Sequence, residues 1–279
     1  MVKPKRELLK VLLGRGLILF VLLLMYAPII VLMVFSFTES TNVGTWNGFS
    51  FQLYLDLFKN KVIMRALFNT LLVAVVSGVV STILGTLGAV GAFYMSKKGR
   101  KLVEGLTQIP IINAEIVMAI SLAVLFVAFS AKFNFLTLLI GHVVLTVAFV
   151  YLSVKPKLVQ MDPSIYEAAL DLGATPRVAM RKVIFPEVLP GIISGFMLAF
   201  TLSLDDFIIT FFLRDNSFDT ISTYVQGVIA KSAIPPALRA LTTIIFGLAL
   251  IVLFVNNWRT KKEEQLKAFH HGKGTVNAQ

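Results

Sequence analysis

Three acidic side chains interrupt otherwise apolar segments of the sequence. Asp205 and Asp206 are adjacent within the run 192–213, and Glu115 lies in the run 109–129. An ionised side chain inside a bilayer costs about 2.5 to 3.5 kcal/mol on insertion scales unless it meets water, a partner or a cation. These three residues are therefore candidates for binding a cation, or for relaying protons, within a membrane.

Helical spacing separates the roles of the acidic pair. Adjacent residues on a helix point about 100° apart, so at most one of the two faces a pore squarely. Ser203, Asp206 and Thr210 share a face and form a polar stripe, which makes Asp206 the preferred pathway residue. Asp205 aligns with Thr201 and is expected instead to cap or pair with a neighbouring helix. The alternative for both acids is structural hydrogen bonding between spans.

Other side chains add little chemistry beyond these acids. His142 stands alone in an apolar segment, where a hydrogen-bonded interior residue is favoured over a ligand. Four aromatic residues offer faces for cation–π contact, although lipid or helix packing explains each of them as well: Trp46, Phe207, Phe211 and Phe212. The sequence has no cysteine, so it predicts neither a disulfide nor a thiolate metal site, and we expect no metal and no nucleophile.

The composition is that of an integral membrane protein. Hydrophobic residues make up 57% of the 279 residues, charged residues only 15%, and the mean hydropathy is +0.82. Soluble domains carry roughly 25% charged residues. The net charge of +11 does not indicate a nucleic-acid partner, because the basic residues flank apolar runs, as membrane topology demands.

The apolar runs predict an all-helical protein with six transmembrane helices in one permease domain, 17–256. The predicted spans are about 17–35, 67–94, 109–129, 136–154, 192–213 and 240–256. Each is about the length that a 30 Å hydrocarbon core requires. Residues 1–16 form a basic N-terminal segment and 257–279 a polar tail. A cleaved signal peptide at the N-terminus is disfavoured because its apolar core would be about 7 to 15 residues long.

The distribution of basic residues predicts the orientation. With both termini on one side, that side holds 19 of the 26 Lys and Arg residues. Cytoplasmic loops carry the excess of positive charge, so both termini and the hairpin 163–186 are predicted to lie in the cytoplasm. The protein is expected in the cytoplasmic membrane of a prokaryote.

The hairpin 163–186 lies between the fourth and fifth spans and carries too many charges to sit in hydrocarbon. Asp162 and Pro163 predict an N-cap and first helical residue, and Gly173 a left-handed turn that ends the first helix. Thr175 and Pro176 begin a second helix, which is expected to end at Pro186 and Pro190. A capping box between Ser164 and Glu167 is the alternative start of the first helix.

Glu167-Ala168-Ala169, then Gly173 four residues on, then Val183-Ile184-Phe185-Pro186, resembles the EAA loop of type I ABC importer permeases. The family usually has Ile and Leu where Val183 and Phe185 stand, which keeps the apolar character. The resemblance implies that this loop is a coupling helix that docks on a nucleotide-binding subunit. The residues it assigns to that contact are Glu167, Ala168, Ala169, Asp171, Gly173 and Pro186.

The sequence lacks the phosphate-binding loop that ATP hydrolysis would need; residues 227–232 contain a Lys-Ser pair without the second glycine beside the lysine. The resemblance therefore implies a separate ATPase in two copies, which uses ATP and Mg²⁺, while this chain binds no cofactor. It also implies a second permease, expected to be a different chain, and an extracytoplasmic substrate-binding protein.

A narrower resemblance extends along nearly the whole chain. Gly48-Phe49-Ser50 with Tyr54 and Leu57-Phe58, Glu115 to Leu122, and Ser203 to Phe207 are similar to the second permease of spermidine/putrescine importers. The resemblance implies polyamine transport by alternating access, with Asp206, Asp205, Glu115, Ser203 and Thr210 along the path. Ala114 and Arg239 depart from the usual Pro and Asn.

Two alternatives stay open at this point. The same architecture could serve another solute, such as ferric iron, thiamine or a phosphonate, although an anion fits poorly with acids at membrane depth. A proton-coupled secondary transporter would also use the buried acids, but it leaves the cytoplasmic hairpin without a role.

Overall fold

The computed structural model describes residues 5–40, 42, 44–230, 235–248 and 250–251, with side chains from Leu13 onward except that of Pro163. All regular structure in these ranges is helical, as the sequence predicts. The helices are α1 (Lys5–Val34), α2 (Gln52–Lys59), α3 (Lys61–Tyr94), α4 (Lys97–Ile112), α5 (Glu115–Ala128), α6 (Phe135–Gln160), α7 (Pro163–Asp171), α8 (Pro176–Ala179), α9 (Phe185–Asp205), α10 (Ile208–Leu213), α11 (Ile221–Ile229) and α12 (Ala237–Leu248).

Several of these helices can cross a bilayer by length and composition. Within the described residues they are Leu13–Phe37, Lys61–Tyr94, Phe135–Gln160 and Pro176–Asp205. α4 and α5 pass the same test as a pair that is bent by 106°. The predicted sixth span, 240–256, begins within the shorter apolar helix α12; its end and the tail 257–279 lie outside the described residues.

The described residues fall into two compact units. One contains the residues up to Lys61 together with those from Pro235 onward, and the other runs from Val62 to Ala230. The acidic residues and the hairpin 163–186 all belong to the second unit.

Small residues bring α3, α6 and α9 of the second unit close together. A Cβ atom at Gly191 of α9 would lie 2.8 Å from the carbonyl oxygen of Ser153 in α6, and one at Gly85 of α3 would lie 2.6 Å from the Cβ of Val150. No larger side chain fits there without moving a helix. The spacing of small residues four apart in the sequence predicts this packing surface on α3, and each of them is buried: Ser77, Ser81, Gly85 and Ala89.

The predicted third span, 109–129, is two helices rather than one. α4 ends at Ile112, and Asn113 and Ala114 are extended before α5 begins. Pro110 has no backbone N–H, which weakens the last turn of α4. The break places Glu115 in the first turn of α5, where the helix dipole favours a negative charge.

Of the two predicted N-caps of the first hairpin helix, the structure shows Asp162 rather than the capping box between Ser164 and Glu167. The Asp162 side chain accepts a hydrogen bond of 2.9 Å from the backbone N–H of Ser164, and Pro163 takes the first turn of α7. This backbone donor, together with the Ser164 hydroxyl, holds the pKa of Asp162 below its usual value. Gly173 adopts φ +86°, the left-handed conformation predicted for the turn.

The second helix of the hairpin does not end at Pro186, and that prediction is wrong. α8 continues through a π-helical turn, Met180–Ile184, directly into α9, so that Pro176–Asp205 forms one 30-residue helix. Pro186 comes just after the π turn, where the regular helical hydrogen-bond pattern is already interrupted, so the helix continues through a residue that has no N–H. The hairpin is therefore continuous with the span that carries the acidic pair.

In the first unit, α1 leads into a short 3₁₀ turn, Phe35–Phe37, and an extended segment. The Ser36 hydroxyl lies 2.8 Å from the Tyr54 hydroxyl of α2, and the ring of Phe37 stacks on that of Phe49. The Arg239 guanidinium donates to the Ser40 carbonyl oxygen at 3.0 Å. These contacts hold the segment that follows α1 against the start of α12.

Candidate functional site

Asp206 occupies a break between α9 and α10. α9 ends at Asp205, and Asp206 takes a non-helical backbone conformation, φ −59° and ψ 130°. Its carboxylate accepts hydrogen bonds from the backbone N–H groups of Ile209 (3.1 Å) and Thr210 (2.8 Å) and from the Thr210 hydroxyl (2.7 Å). The sequence predicts a continuous helix here, so this capping role of Asp206 was not foreseen.

His142 of α6 meets this carboxylate in the protein interior. Its Nε2 lies 3.4 Å from Asp206 Oδ2 and 3.0 Å from Thr210 Oγ1, and its Nδ1 lies 2.8 Å from Ser203 Oγ. The imidazole is fully buried. The interpretation of His142 as a hydrogen-bonded interior residue is confirmed.

Two serines that the sequence analysis did not assign to the site complete it. Ser77 of α3 donates a 2.8 Å hydrogen bond to Ser203 Oγ, and Ser222 of α11 donates one of 2.6 Å to the backbone carbonyl of Asp206. Ser77 belongs to the small-residue surface of α3, which signals packing but not this hydrogen bond. Ser222 follows the α11 N-cap and carries no signal in the sequence.

Glu115 reaches the same place from the start of α5. Its half-buried carboxyl group lies within hydrogen-bonding reach of Asp206 and within electrostatic range of Asp205. Two carboxyl groups in contact repel each other unless a proton or another cation lies between them. The break between α4 and α5 and the break between α9 and α10 therefore bring Glu115 close to Asp205 and Asp206, which lie about 90 residues later in the sequence.

The two members of the acidic pair differ in their surroundings. Asp206 is 6% exposed, whereas Asp205 lies on the exposed surface of the chain. Beyond the break, the ring of Phe211 contacts those of Phe207 and Phe212, each with centroids 5.4 Å apart. Trp46 belongs to the other unit, where its ring contacts Phe35.

Among the residues that the structure describes, no group of three or more His, Asp or Glu side chains is arranged to hold a metal ion.

The residues of the hairpin form a separate exposed surface. Glu167, Ala168, Asp171, Gly173 and Pro186 are exposed, and Ala169 is half-buried. Leu172, at the tip, is 89% exposed. The hairpin is anchored by Tyr166, whose ring lies 5.9 Å from that of Tyr94 at the end of α3.

A family comparison covers both regions. The sequence model described as "Binding-protein-dependent transport system inner membrane component" matches residues 81–260, which include Glu115, the hairpin and the acidic pair. The chain belongs to this family of transport permeases. The permease is a multi-pass membrane protein whose family supplies the membrane subunit of a transport system.

Relatives of the permease are named for polyamine transport. It is 32% identical over 85% of its length to the spermidine/putrescine transport system permease protein PotC of Haemophilus influenzae, of which 92% is covered. It is 33% identical over 83% of its length to the putrescine transport system permease protein PotI of Escherichia coli K12, of which 84% is covered.

Solved structures share the fold of the permease. A chain of a bacterial ABC transporter involved in import of the acidic polysaccharide alginate superposes with a TM-score of 0.71 at 17% identity, covering 94% of the permease and 98% of that chain. A second structure of a bacterial alginate transporter, in complex with an alginate-bound periplasmic protein, gives a TM-score of 0.68 at 20% identity, covering 91% and 94%. At these identities the likeness concerns the fold alone.

Proposed function

We propose that the permease is a membrane subunit of an ATP-driven importer of polyamines of the spermidine and putrescine class. The observation that carries the proposal is the gathering of Glu115, Asp205 and Asp206 at two helix breaks, in a chain that is 32–33% identical to polyamine permeases over most of its length. Each ammonium group of a polyamine is a cation that such carboxyl groups stabilise away from bulk water.

The path for the solute is built from the polar stripe and its surroundings. Asp206, Ser203 and Thr210 line its buried wall, Asp205 lies at its exposed edge, and Glu115 faces them from α5. The ring faces of Phe207, Phe211 and Phe212 add cation–π surfaces beside the acids. Broken helices are a common way to place carboxylates and backbone dipoles at the middle of a membrane.

We propose that the hairpin couples ATP hydrolysis in the partner ATPase to movement of the transmembrane helices. We assign Glu167, Ala168, Ala169, Asp171, Gly173 and Pro186 to the contact with the ATPase. The continuity of the hairpin with α9 supports this role, because a movement of the hairpin displaces the same helix that ends at Asp205. Opening and closing of the ATPase would then drive alternating access.

The complete machine contains more chains than this one. It would hold two copies of an ATPase that binds ATP and Mg²⁺, a second permease that is a different chain, and an extracytoplasmic binding protein. We propose six spans with both termini in the cytoplasm, since the basic residues concentrate on that side.

Transport in proteoliposomes tests this function. The permease is reconstituted with its genomic partner chains, ATP is enclosed with the ATPase, and uptake of labelled spermidine and putrescine is measured with and without a proton ionophore. We expect uptake that needs ATP and survives the ionophore. Uptake that follows the proton gradient without ATP would instead indicate a secondary transporter.

Competition with other solutes tests the substrate class. Excess unlabelled polyamine should block uptake, whereas thiamine, ferric iron and a phosphonate should not. ATP-dependent uptake of one of those solutes, with no uptake of polyamine, would retain the ABC mechanism and refute the polyamine assignment.

A further inference from the structure

We propose that His142 is a positioning residue of the cation path. It acts as a neutral imidazole that carries its proton on Nε2, and it closes a directional chain of hydrogen bonds that fixes the Asp206 carboxylate in the break between α9 and α10. The proposal deepens the proposed function and rests on it for the identity of the solute, but the protonation of His142 can be measured without any transport.

The direction of the chain begins at Thr210. Its hydroxyl lies 2.7 Å from Asp206 Oδ2. The same oxygen accepts the backbone N–H of Thr210 at 2.8 Å, so it is an acceptor here, and the single hydroxyl proton of Thr210 is committed to it. Thr210 Oγ1 can then only accept from His142 Nε2, 3.0 Å away. The proton of the imidazole must therefore be on Nε2.

The other ring nitrogen has the complementary role. Ser77 donates to Ser203 Oγ at 2.8 Å, which leaves the proton of Ser203 for another partner. His142 Nδ1 lies 2.8 Å from the same oxygen and, in the neutral ring, accepts that proton. The hydroxyls of Ser203 and Thr210 thus each donate once and accept once, and the series of hydrogen bonds runs from Ser77 through Ser203, His142 and Thr210 to Asp206.

The groups that form these hydrogen bonds are buried. Ser77, His142 and Thr210 are fully buried, and Ser203 and Asp206 are 3% and 6% exposed. Bulk water does not compete for these groups, and a donor without its acceptor would be costly. These hydrogen bonds join α3, α9, α6 and α10 in that order, so they form only when the four helices pack together.

The consequence for the acidic pair is a division of roles. Oδ2 of Asp206 faces three donors, the backbone N–H and hydroxyl of Thr210 and Nε2 of His142. Such a carboxylate is held in one orientation and supports the helix break. Asp205, which is exposed beside it, is the member of the pair left to meet an ammonium group, with its position set by the anchored neighbour.

Three substitutions of His142 separate donor from acceptor. His142→Gln places an amide N–H near the position of Nε2 and keeps a donor toward Thr210 and Asp206. His142→Asn places an amide oxygen near Nδ1 and keeps only the acceptor for Ser203. His142→Phe keeps the ring volume and removes both.

The measurement is the maximal rate of spermidine uptake per assembled complex. We expect His142→Asn and His142→Phe to lower it at least about tenfold, since a hydrogen bond to a charged group is lost. His142→Gln should stay within about threefold of the parent. A residue that only fills space would make Asn the most damaging and Phe the mildest, and that order, or equal rates for all three, would overturn the proposal.

A matched pair on α3 tests the far end of the chain. Ser77 and Ser81 are both buried, one turn apart, and each shares a hydroxyl contact of 2.7 to 2.8 Å with another helix. Only Ser77 belongs to the series of hydrogen bonds that leads to Asp206, because the partner of Ser81 is Thr146. Ser77→Ala should lower the rate per assembled complex by about threefold, with Ser81→Ala unchanged. Equal effects would overturn the directional chain.

Nitrogen NMR of the intact complex gives a readout independent of transport. With ¹⁵N-histidine in this chain, the signal absent from the His142→Gln sample belongs to His142. We expect a protonated Nε2 and an unprotonated Nδ1 at neutral pH. The opposite tautomer, or a doubly protonated ring, refutes the proposal even where variants assemble poorly. If the parent complex imports no polyamine while this tautomer is found, the proposed substrate fails and the positioning role of His142 stands.

Discussion

Asp206 at the helix break and the acidic residues of the hairpin have opposite surroundings. Asp206 is buried, and its carboxylate receives donors from α6 and α10. Glu167 and Asp171 lie exposed on α7. Asp206 thus has hydrogen-bond partners within its own chain, whereas Glu167 and Asp171 lie on the exposed surface that we propose contacts the ATPase.

The two regions also differ in how far apart in the sequence their contacting residues lie. The hairpin is organised by neighbours, with a cap at Asp162 and a left-handed glycine at Gly173. The break gathers residues from positions 77 to 222. Substitutions in the two regions should therefore differ in whether they damage assembly or coupling.

The largest effect is expected from Asp206→Ala. It leaves two backbone N–H groups and the Thr210 hydroxyl without their acceptor, at a cost of about 3 kcal/mol or more. The apparent melting temperature of the solubilised complex should fall by roughly 6 to 12 °C. Asp205→Ala is the control and should shift it by less than about 2 °C while reducing polyamine uptake. Equal melting temperatures for the two variants would erase the distinction between anchored and exposed acid.

Charge reversal in the hairpin should damage coupling alone. Glu167→Lys places a positive charge on the proposed ATPase contact, and we expect at least about a tenfold loss of uptake with membrane insertion unchanged. Glu187→Lys, at another exposed acid in the first turn of α9, is the control and should retain most of the activity. Normal ATP-driven uptake by Glu167→Lys would argue against the coupling role.

Gly173→Ala should have a smaller effect, confined to the hairpin. A side chain at φ +86° costs about 1 kcal/mol. Hydrogen exchange of the amides of Gly173 and Ala174, which bond back to Leu170 and Ala169, should speed up about fivefold. Gly105→Ala, in a helical position with open space around it, should leave exchange in the hairpin unchanged. Faster exchange throughout the chain would contradict a local role.

The smallest effect is a pH dependence of the α7 cap. Hydrogen bonds from Ser164 lower the pKa of Asp162 in the folded chain, so the cap contributes stability above the ordinary pKa of an aspartate. That contribution is lost as the pH falls below about 4 through the lowered value. Exchange of the Ser164 amide should lose protection over this acidic range, beyond the intrinsic change in rate. An Asp162→Asn variant should show no such step.

Sequence periodicity and the family resemblance predicted several features of this structure. The helical class, the packing surface of α3, the hairpin cap and its glycine turn follow from patterns within a few residues of each other. The continuous helix through Pro186 was not anticipated, because proline normally ends a helix and no sequence pattern marks the π turn Met180–Ile184 that precedes it. The break at Asp206 was missed because the apolar run continues on both sides of it.

The sequence by itself determined the transporter class, the acids that a bilayer would not accept without a partner, and the local geometry of the hairpin. Caps, glycine turns and charge placement act over short distances, so they can be read along the chain. Only the tertiary structure decided that Asp206 is the anchored acid and Asp205 the exposed one. Their surroundings are set by His142, Ser77 and Glu115, which approach through helix packing and two helix breaks that local propensity does not encode.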